Sequence, residues 1–493
     1  MADASTQPPN EIEPAVPHPR RYRWLVRLAA VYVLTVAAVA GVRWWWGEVA
    51  ERRLAETVAA AQARGEKVLL ADYARNEPPL PDEQNAAFFI RRSQQAMKLS
   101  NSEDWAIDNS TSLPLREDIA QIVGQAVGEH PGVLADIRTA RDLDRADWGV
   151  NIVSPMWSTL LPHLNGARQV CRFARAAAIH ATHRGDHAAA IEHVRDILGL
   201  SRALDEDDAF LVTHLVCLGI DAVAADAAGE IARDLQIVAA SDEPGSPGAP
   251  ATREQVQTLI TELLDDRSRR ESLRDALEGE RAMQVDMGQQ VGRRARVIRP
   301  AIQLDVLRLV KEGEQLITAA AAPDWPTARK LLPNPPVVTG PRVAAHVVSQ
   351  SVRPALGRAL STSMHGAANA RLAAVALAIR LYQLDHNGQR PPTLDALVPA
   401  YLPAVPLDPF AGGGQPLGYV PDRIAPYVYS VGENGIDDSA LTPAWRPDEK
   451  TLDPGKAPDL FLRLTQENTP PPEITDPPVD EPDATTLPAV ESE

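Results

Sequence analysis

The chain has 493 residues, 44% of them hydrophobic, which is enough for two or three domains around a sizeable core. Aromatics make up only 5% and alanine dominates many stretches; that balance favours packed helices over sheet, since alanine is the best helix former and a poor strand residue. A formal net charge of −17 argues against a concentrated basic face, so nucleic acid is not an expected partner.

Residues 1–19 are proline-rich and read as a disordered cytoplasmic tail. A membrane anchor is expected over 20–46, where Leu28–Val42 is an uncharged run and Trp24 to Trp46 is long enough to span a bilayer. Arg20, Arg21, Arg23 and Arg27 precede the run, so the positive-inside rule puts the N-terminus in the cytoplasm. Trp44, Trp45 and Trp46 suit the outer interface, and the bulk of the chain is expected beyond the inner membrane. Two other readings compete: a signal peptide cut near Ala38-Val39-Ala40, or a buried core helix, which the flanking arginines and tryptophans fit poorly.

Residues 47–80 read as a helical stalk ending at Gly65, followed by a proline-rich turn. A helical body is expected over 81–360, with a break at 241–252. Within it, "GARQVCRFARAAAIHATHRGDHAAAIEHVRDILGLSRAL" reads as two antiparallel helices turning at "RGDH", a hairpin of the tetratricopeptide type in part, although no repeat recurs in register. Thr252 and Gln255 fit a capping box. The segment "DRSRRESLRDALEGERAMQVDM" reads as a charged, solvated helix with opposite charges four residues apart.

Six of the eleven histidines fall between His163 and His214. His180, His183, His187 and His193 give an H-x2-H-x3-H-x5-H spacing that matches no motif of known mechanism, and the RGD turn separates the first pair from the second. Asp186 and Glu192 are the nearby carboxylates. The sequence contains no G-x-S-x-G, no G-x-x-x-x-G-K-[ST] and no H-E-x-x-H. Cys171 and Cys217 lie in apolar helical patterns; they pair as a disulfide in an oxidising compartment or, the commoner case, stay as two buried thiols.

Residue chemistry changes after Leu384. "LYQLDHNGQRPPTLDALVPAYLP", then "PLDPFAGGGQPLGY" and "YVYSVGENGIDD", resemble the globular domain of the major pseudopilin of type II secretion, over about 365–465. The resemblance implies a small α+β module over 361–465. It also implies a calcium loop in which Asn434 stands where the family has its first aspartate, Asp437 and Asp438 follow, and Asp459 closes the set. Carboxylates and exposed carbonyls suit Ca2+, which takes six to eight oxygens. The anchor lacks the prepilin-peptidase motif of that family and stands more than 300 residues from the module, so assembly into a pseudopilus is not implied. The whole chain also resembles a group of uncharacterised bacterial single-pass membrane-anchored proteins, through "ARGEKVLLADYA", "PPLPDEQNAA" and "EGERAM". From Gln466 the tail holds eight carboxylates and no Lys or Arg, and reads as disordered.

The expected fold is therefore mainly α: a body of antiparallel hairpins carrying a small C-terminal α+β pseudopilin-like module. The expected role is structural or protein-binding, with the membrane contacted through Leu28–Val42 and with protein partners. The alternatives are a membrane-anchored hydrolase using the His163–His214 region and an accessory of a type II secretion-like apparatus.

Overall fold

A computed structural model describes residues 22–74, 77–206, 210–238, 248–294, 299–333, 347–421, 426–437 and 459–465, with side chains of the last long helix described from residue 356. Within these the chain is mainly helical, with two small sheets.

The first helix, α1 (Arg23–Ala63), joins the expected anchor and stalk into one rod of 41 residues. Arg64 caps it, and Gly65 turns the chain at φ 81°, a conformation open to glycine and strained for other residues. Its two halves have different surroundings. From Tyr22 to Trp46 the large apolar side chains face outward, Tyr32 and Trp44 each 71% exposed. Ala50, Val58 and Ala61 are buried instead; the latter two pack with Val285, Ile302, Val306 and Val310. These partners belong to α10 (Asp266–Arg294) and α11 (Arg299–Ala320), which form an antiparallel pair.

The main core is built by α2 (Ala86–Ala96), α3 (Asn101–Asn109), α4 (Glu117–Glu129), α5 (Pro131–Arg141), α6 (His163–His183), α7 (His187–Asp205), α8 (Leu211–Ala232) and α9 (Arg253–Leu263). The α6–α7 hairpin turns where "RGDH" predicts: Gly185 takes φ 78°, and Asp186 caps α7 by accepting from the Ala189 N–H at 3.1 Å. α8 is long and apolar enough to cross a membrane, yet 61% of its apolar window is buried, and it lies at the centre of the bundle. Two short parallel strands, β1 (Ile237–Val238) and β2 (Ala251–Thr252), flank the expected break. The capping box forms as the sequence predicts, with Gln255 N donating to Thr252 Oγ1 and Thr252 N to Gln255 Oε1.

A second apolar cluster joins α10, α11, α12 (Trp325–Leu331) and the first half of α13 (Val347–Asp385). The second half of α13 passes into the main core through Ala370–Leu381. The expected boundary at 360 thus falls inside one continuous helix. The C-terminal strands β3 (Gly418–Val420), β4 (Tyr427–Ser430) and β5 (Leu460–Arg463) form an antiparallel sheet with β4 in the middle, Tyr419 facing Val428 and Val428 facing Leu462. Leu462 comes so close to Gly229 of α8 that a Cβ there would stand 2.7 Å from its Cδ1.

One expectation is corrected. The charged helix α10 is not solvated along its length: Glu278, Glu280, Arg281, Gln284 and Asp286 are buried. Specific donors and acceptors make this tolerable, as burial of charge requires. Arg281 Nη1 meets Glu66 Oε2 at 2.7 Å and Nη2 donates to the Lys67 carbonyl at 3.2 Å. Glu278 accepts from Lys67 N and Arg274 Nε, while Asp286 accepts from Ser154 Oγ and Met156 N. The charges that looked like a wet face are what fastens α10 to the stalk end and to the 150–158 segment.

Candidate functional site

The four spaced histidines engage separate neighbours. The His180 ring packs against Gly124 of α4, where a Cβ would lie 2.8 Å from Nε2, and His183 Nε2 is 3.9 Å from Glu117 Oε2. His193 Nδ1 lies 3.6 Å from Asp196 Oδ2, and His187 is buried with no hydrogen-bond partner at Nδ1. Asp186 is occupied as a helix cap, and Glu192 is held by Arg141 and Arg195. His163 stacks on Trp148 at 4.6 Å, and burial pushes its imidazole down to about 4. Burial likewise lowers His180 and His187, so these rings are neutral packing elements at pH 7. Among the described residues no group of three His, Cys, Asp or Glu side chains is placed to hold a metal ion.

The remaining histidine, His214, is different. It lines a polar cleft of about 610 Å³ between α5, α7, α8 and α10. Ser272 Oγ of α10 donates to Asp205 Oδ1 at 2.6 Å and lies 2.6 Å from His214 Nδ1. A serine hydroxyl has one proton, and here it goes to Asp205; the His214 contact then requires Nδ1 to carry a proton and donate to Oγ. The result is a relay from His214 Nδ1–H through Ser272 to Asp205 that fixes the ring, leaving Nε2 buried with no hydrogen-bond partner.

Two further groups on the same helix faces line this cleft. Asp221, two turns after His214 on α8, is pushed up by burial against the pull of Arg269 and a hydrogen bond with Ser201. Ser201, one turn before Asp205 on α7, donates to the Cys217 carbonyl at 3.2 Å. Cys171 and Cys217 are both free and buried, and burial pushes the Cys171 thiol up to about 12. The cleft therefore combines an oriented imidazole, a serine, the Asp205 carboxyl that accepts from it, and a second aspartyl group, Asp221, that burial biases towards its protonated form. That set can bind a polar ligand or move a proton.

Sequence reasoning had His214 only as the end of a histidine-rich stretch and missed Asp205, Ser272, Asp221 and Ser201. A signal exists: His214 and Asp221 lie seven residues apart on one face of a helix otherwise apolar enough to span a membrane. Polar groups at that spacing in such a helix need partners.

The C-terminal loop is organised by a residue outside the expected ligand set. Asp408, in "DPF", is buried and accepts from Ser430 Oγ at 2.6 Å, Val431 N at 2.8 Å and Phe410 N at 2.9 Å. It thereby latches the "DPF" turn to the end of β4. Asn434 Oδ1 accepts from Ile436 N at 2.9 Å, an Asx turn, and Asp437 Oδ2 accepts from the Tyr429 hydroxyl at 3.1 Å. Asp459 is buried at the start of β5, and Asp438 lies outside the described residues. Glu433 accepts from Ser361 Oγ at 2.9 Å, which ties the same loop to α13.

In comparisons with protein-family models, curated proteins and solved structures, the chain matches none.

Proposed function

We propose that the chain is a single-pass, inner-membrane-anchored protein with its bulk outside the cytoplasm, serving a structural or protein-interaction role. The supporting observation is the contrast within α1: one rigid helix whose first half shows apolar side chains on every face and whose second half is packed into the body. Water is a poor environment for that first half, and a bilayer is a suitable one. Trp24 to Trp46 covers about 33 Å at 1.5 Å per residue, close to the thickness of the hydrocarbon layer. The arginines before the run favour an N-terminus inside. Because the helix enters the body without a break, the body stands at a fixed height above the membrane and offers its helical faces to partners. The test is protease protection in sealed, right-side-out membrane vesicles. An N-terminal epitope should survive while the body is digested; digestion of the epitope with survival of the body would reverse the orientation.

The pseudopilin-like reading of the C-terminal module belongs to the same proposal. Asn434, Asp437, Asp438 and Asp459 would supply oxygens to Ca2+, and an accessory role in a type II secretion-like apparatus rests on that resemblance alone. Calcium at 100 times its Kd should stabilise the full chain by about 2.7 kcal/mol over chelator. Superimposable melts would remove the metal.

The cleft at His214 favours a second reading, a membrane-anchored hydrolase. In it, His214 Nε2 is the base, held by the Ser272–Asp205 relay, and Asp221 is the acid. Hydrolysis of generic p-nitrophenyl esters or phosphates that disappears in both His214→Gln and Asp205→Asn would carry it. Activity retained in both would end it.

A further inference from the structure

The corner between α10 and α11 lies beside the membrane end of the stalk. Gly47, the residue after the tryptophan triplet, is against Pro300 at the start of α11, where a Cβ would meet the proline ring at 3.5 Å. Arg299 Nη2 reaches Glu51 at 3.3 Å. Further out, Arg64 pairs with Glu314 at 2.8 Å, so α11 runs alongside α1 in the same direction, away from the bilayer. α10 runs the opposite way. It touches the stalk end through Arg281 and Glu66, and Arg294 follows thirteen residues later, about 20 Å back towards the membrane. That sets Arg293 and Arg294 near the 50–54 turn of α1, about 10 Å above Trp46. The placement agrees with the groove that Gly292 and Arg293 share with Glu51, Leu54 and Ala55.

Arg293, Arg294 and Arg299 are exposed, and among the described residues only Arg299 has a carboxylate neighbour, Glu51. Beyond the Arg299–Glu51 pair, no ion pair among the described residues accounts for the guanidiniums at this corner. The headgroup layer extends several ångströms beyond the hydrocarbon, and long arginine side chains reach into it. We propose that this corner is a second membrane contact, in which Arg293, Arg294 and Arg299 hold the phosphates of anionic lipid headgroups in the bilayer that α1 crosses. The inference rests on the membrane-anchored reading above. It adds a lipid class and a footprint to it: the body is fixed by the helix and by a basic foot set to one side, which limits its tilt.

The test is lipid selectivity of the full chain reconstituted into phosphatidylcholine vesicles. Energy transfer from the tryptophans to trace dansyl-phosphatidylglycerol is compared with transfer to trace dansyl-phosphatidylcholine. The wild type should prefer the anionic probe, and the variant Arg293→Gln/Arg294→Gln/Arg299→Gln should lose at least about fivefold of that preference, the contribution of one basic residue near a charged surface. The N-terminal arginines are common to both proteins and cancel. About 1 M salt, which shortens the screening length to about 3 Å, should bring the wild type down to the variant. A preference that the substitutions leave undiminished, or that salt leaves unchanged, overturns the proposal. Failure of the anchor reading looks different: neither protein would float with the vesicles.

Discussion

Replacing Arg281 by Met removes a buried cation while keeping most of its apolar stem, and so tests how the stalk is fastened. The side chain is fully enclosed, its aliphatic part against Gly313 and its head on Glu66 and the Lys67 carbonyl. Breaking a buried ion pair by removing one partner costs about 3–5 kcal/mol. Here the low end, about 3 kcal/mol, is expected, because Glu66 keeps Arg64 at 2.6 Å. Burial alone would raise the Glu66 carboxyl; the hydrogen bonds from Arg64 and Arg281 outweigh it and hold the group below its ordinary value. A carboxyl lowered in the fold stabilises fully above its unfolded value, and that stability is lost as pH falls through the folded one. The difference between wild type and Arg281→Met should therefore be complete at pH 7 and shrink under acid conditions. Urea unfolding of the detergent-solubilised chain reads it as a shift in midpoint at unchanged slope. The double variant Glu66→Gln/Arg281→Met should cost well under the sum of the singles, because each single strands the other's charge. An Arg281→Met protein within about 0.5 kcal/mol of wild type, or strictly additive singles, would refute this account of the clamp.

Three other outcomes follow from the packing. Burial pushes the Glu280 carboxyl up to about 7, so the fold favours its protonated form and loses stability as pH rises from the unfolded value of 4.5 to 7; Glu280→Gln should match wild type at pH 4 and exceed it by about 3 kcal/mol at pH 8 in paired urea titrations. Gly288→Ala would place a methyl 2.0 Å from Val306 Cγ2, a stiff β-branched neighbour, and should cost about 1–3 kcal/mol by the same assay. Asp408→Ala leaves the Ser430 hydroxyl and the Val431 and Phe410 amides without their acceptor; faster hydrogen exchange over 408–436 should report the unlatched loop, and unchanged exchange would deny Asp408 its role.

The parts of this fold that were legible from sequence are those set by local chemistry. The RGD turn, the Thr252–Gln255 capping box and the apolar α1 each announce themselves within a few residues, and each forms where expected. The mainly helical class followed from alanine content. What local pattern could not supply was which charged residues face inward. Arg281 and Glu278 look like ordinary surface charges of a charged helix; they are buried because Glu66 and the Lys67 backbone, more than 200 residues away, come to meet them. The cleft failed for the same reason. Asp205, His214 and Ser272 come from three helices, and the histidine spacing that drew notice at 180–193 reflects separate packing contacts. At the C-terminus the ordered "DPF" and "YSVG" motifs pointed to one module. Their physical link, Asp408, is a hydrogen-bond hub buried under the turn, a role that "DPF" alone does not reveal.

The central claim is that the first half of α1 crosses a membrane and remains joined to the body. Alkaline carbonate extraction of membranes containing the full chain, followed by intact-mass measurement, tests both parts at once. The account predicts a protein that stays with the membrane pellet at the mass of a chain retaining Trp24–Trp46. Release into the supernatant, or a mass showing cleavage after Ala40, would contradict it.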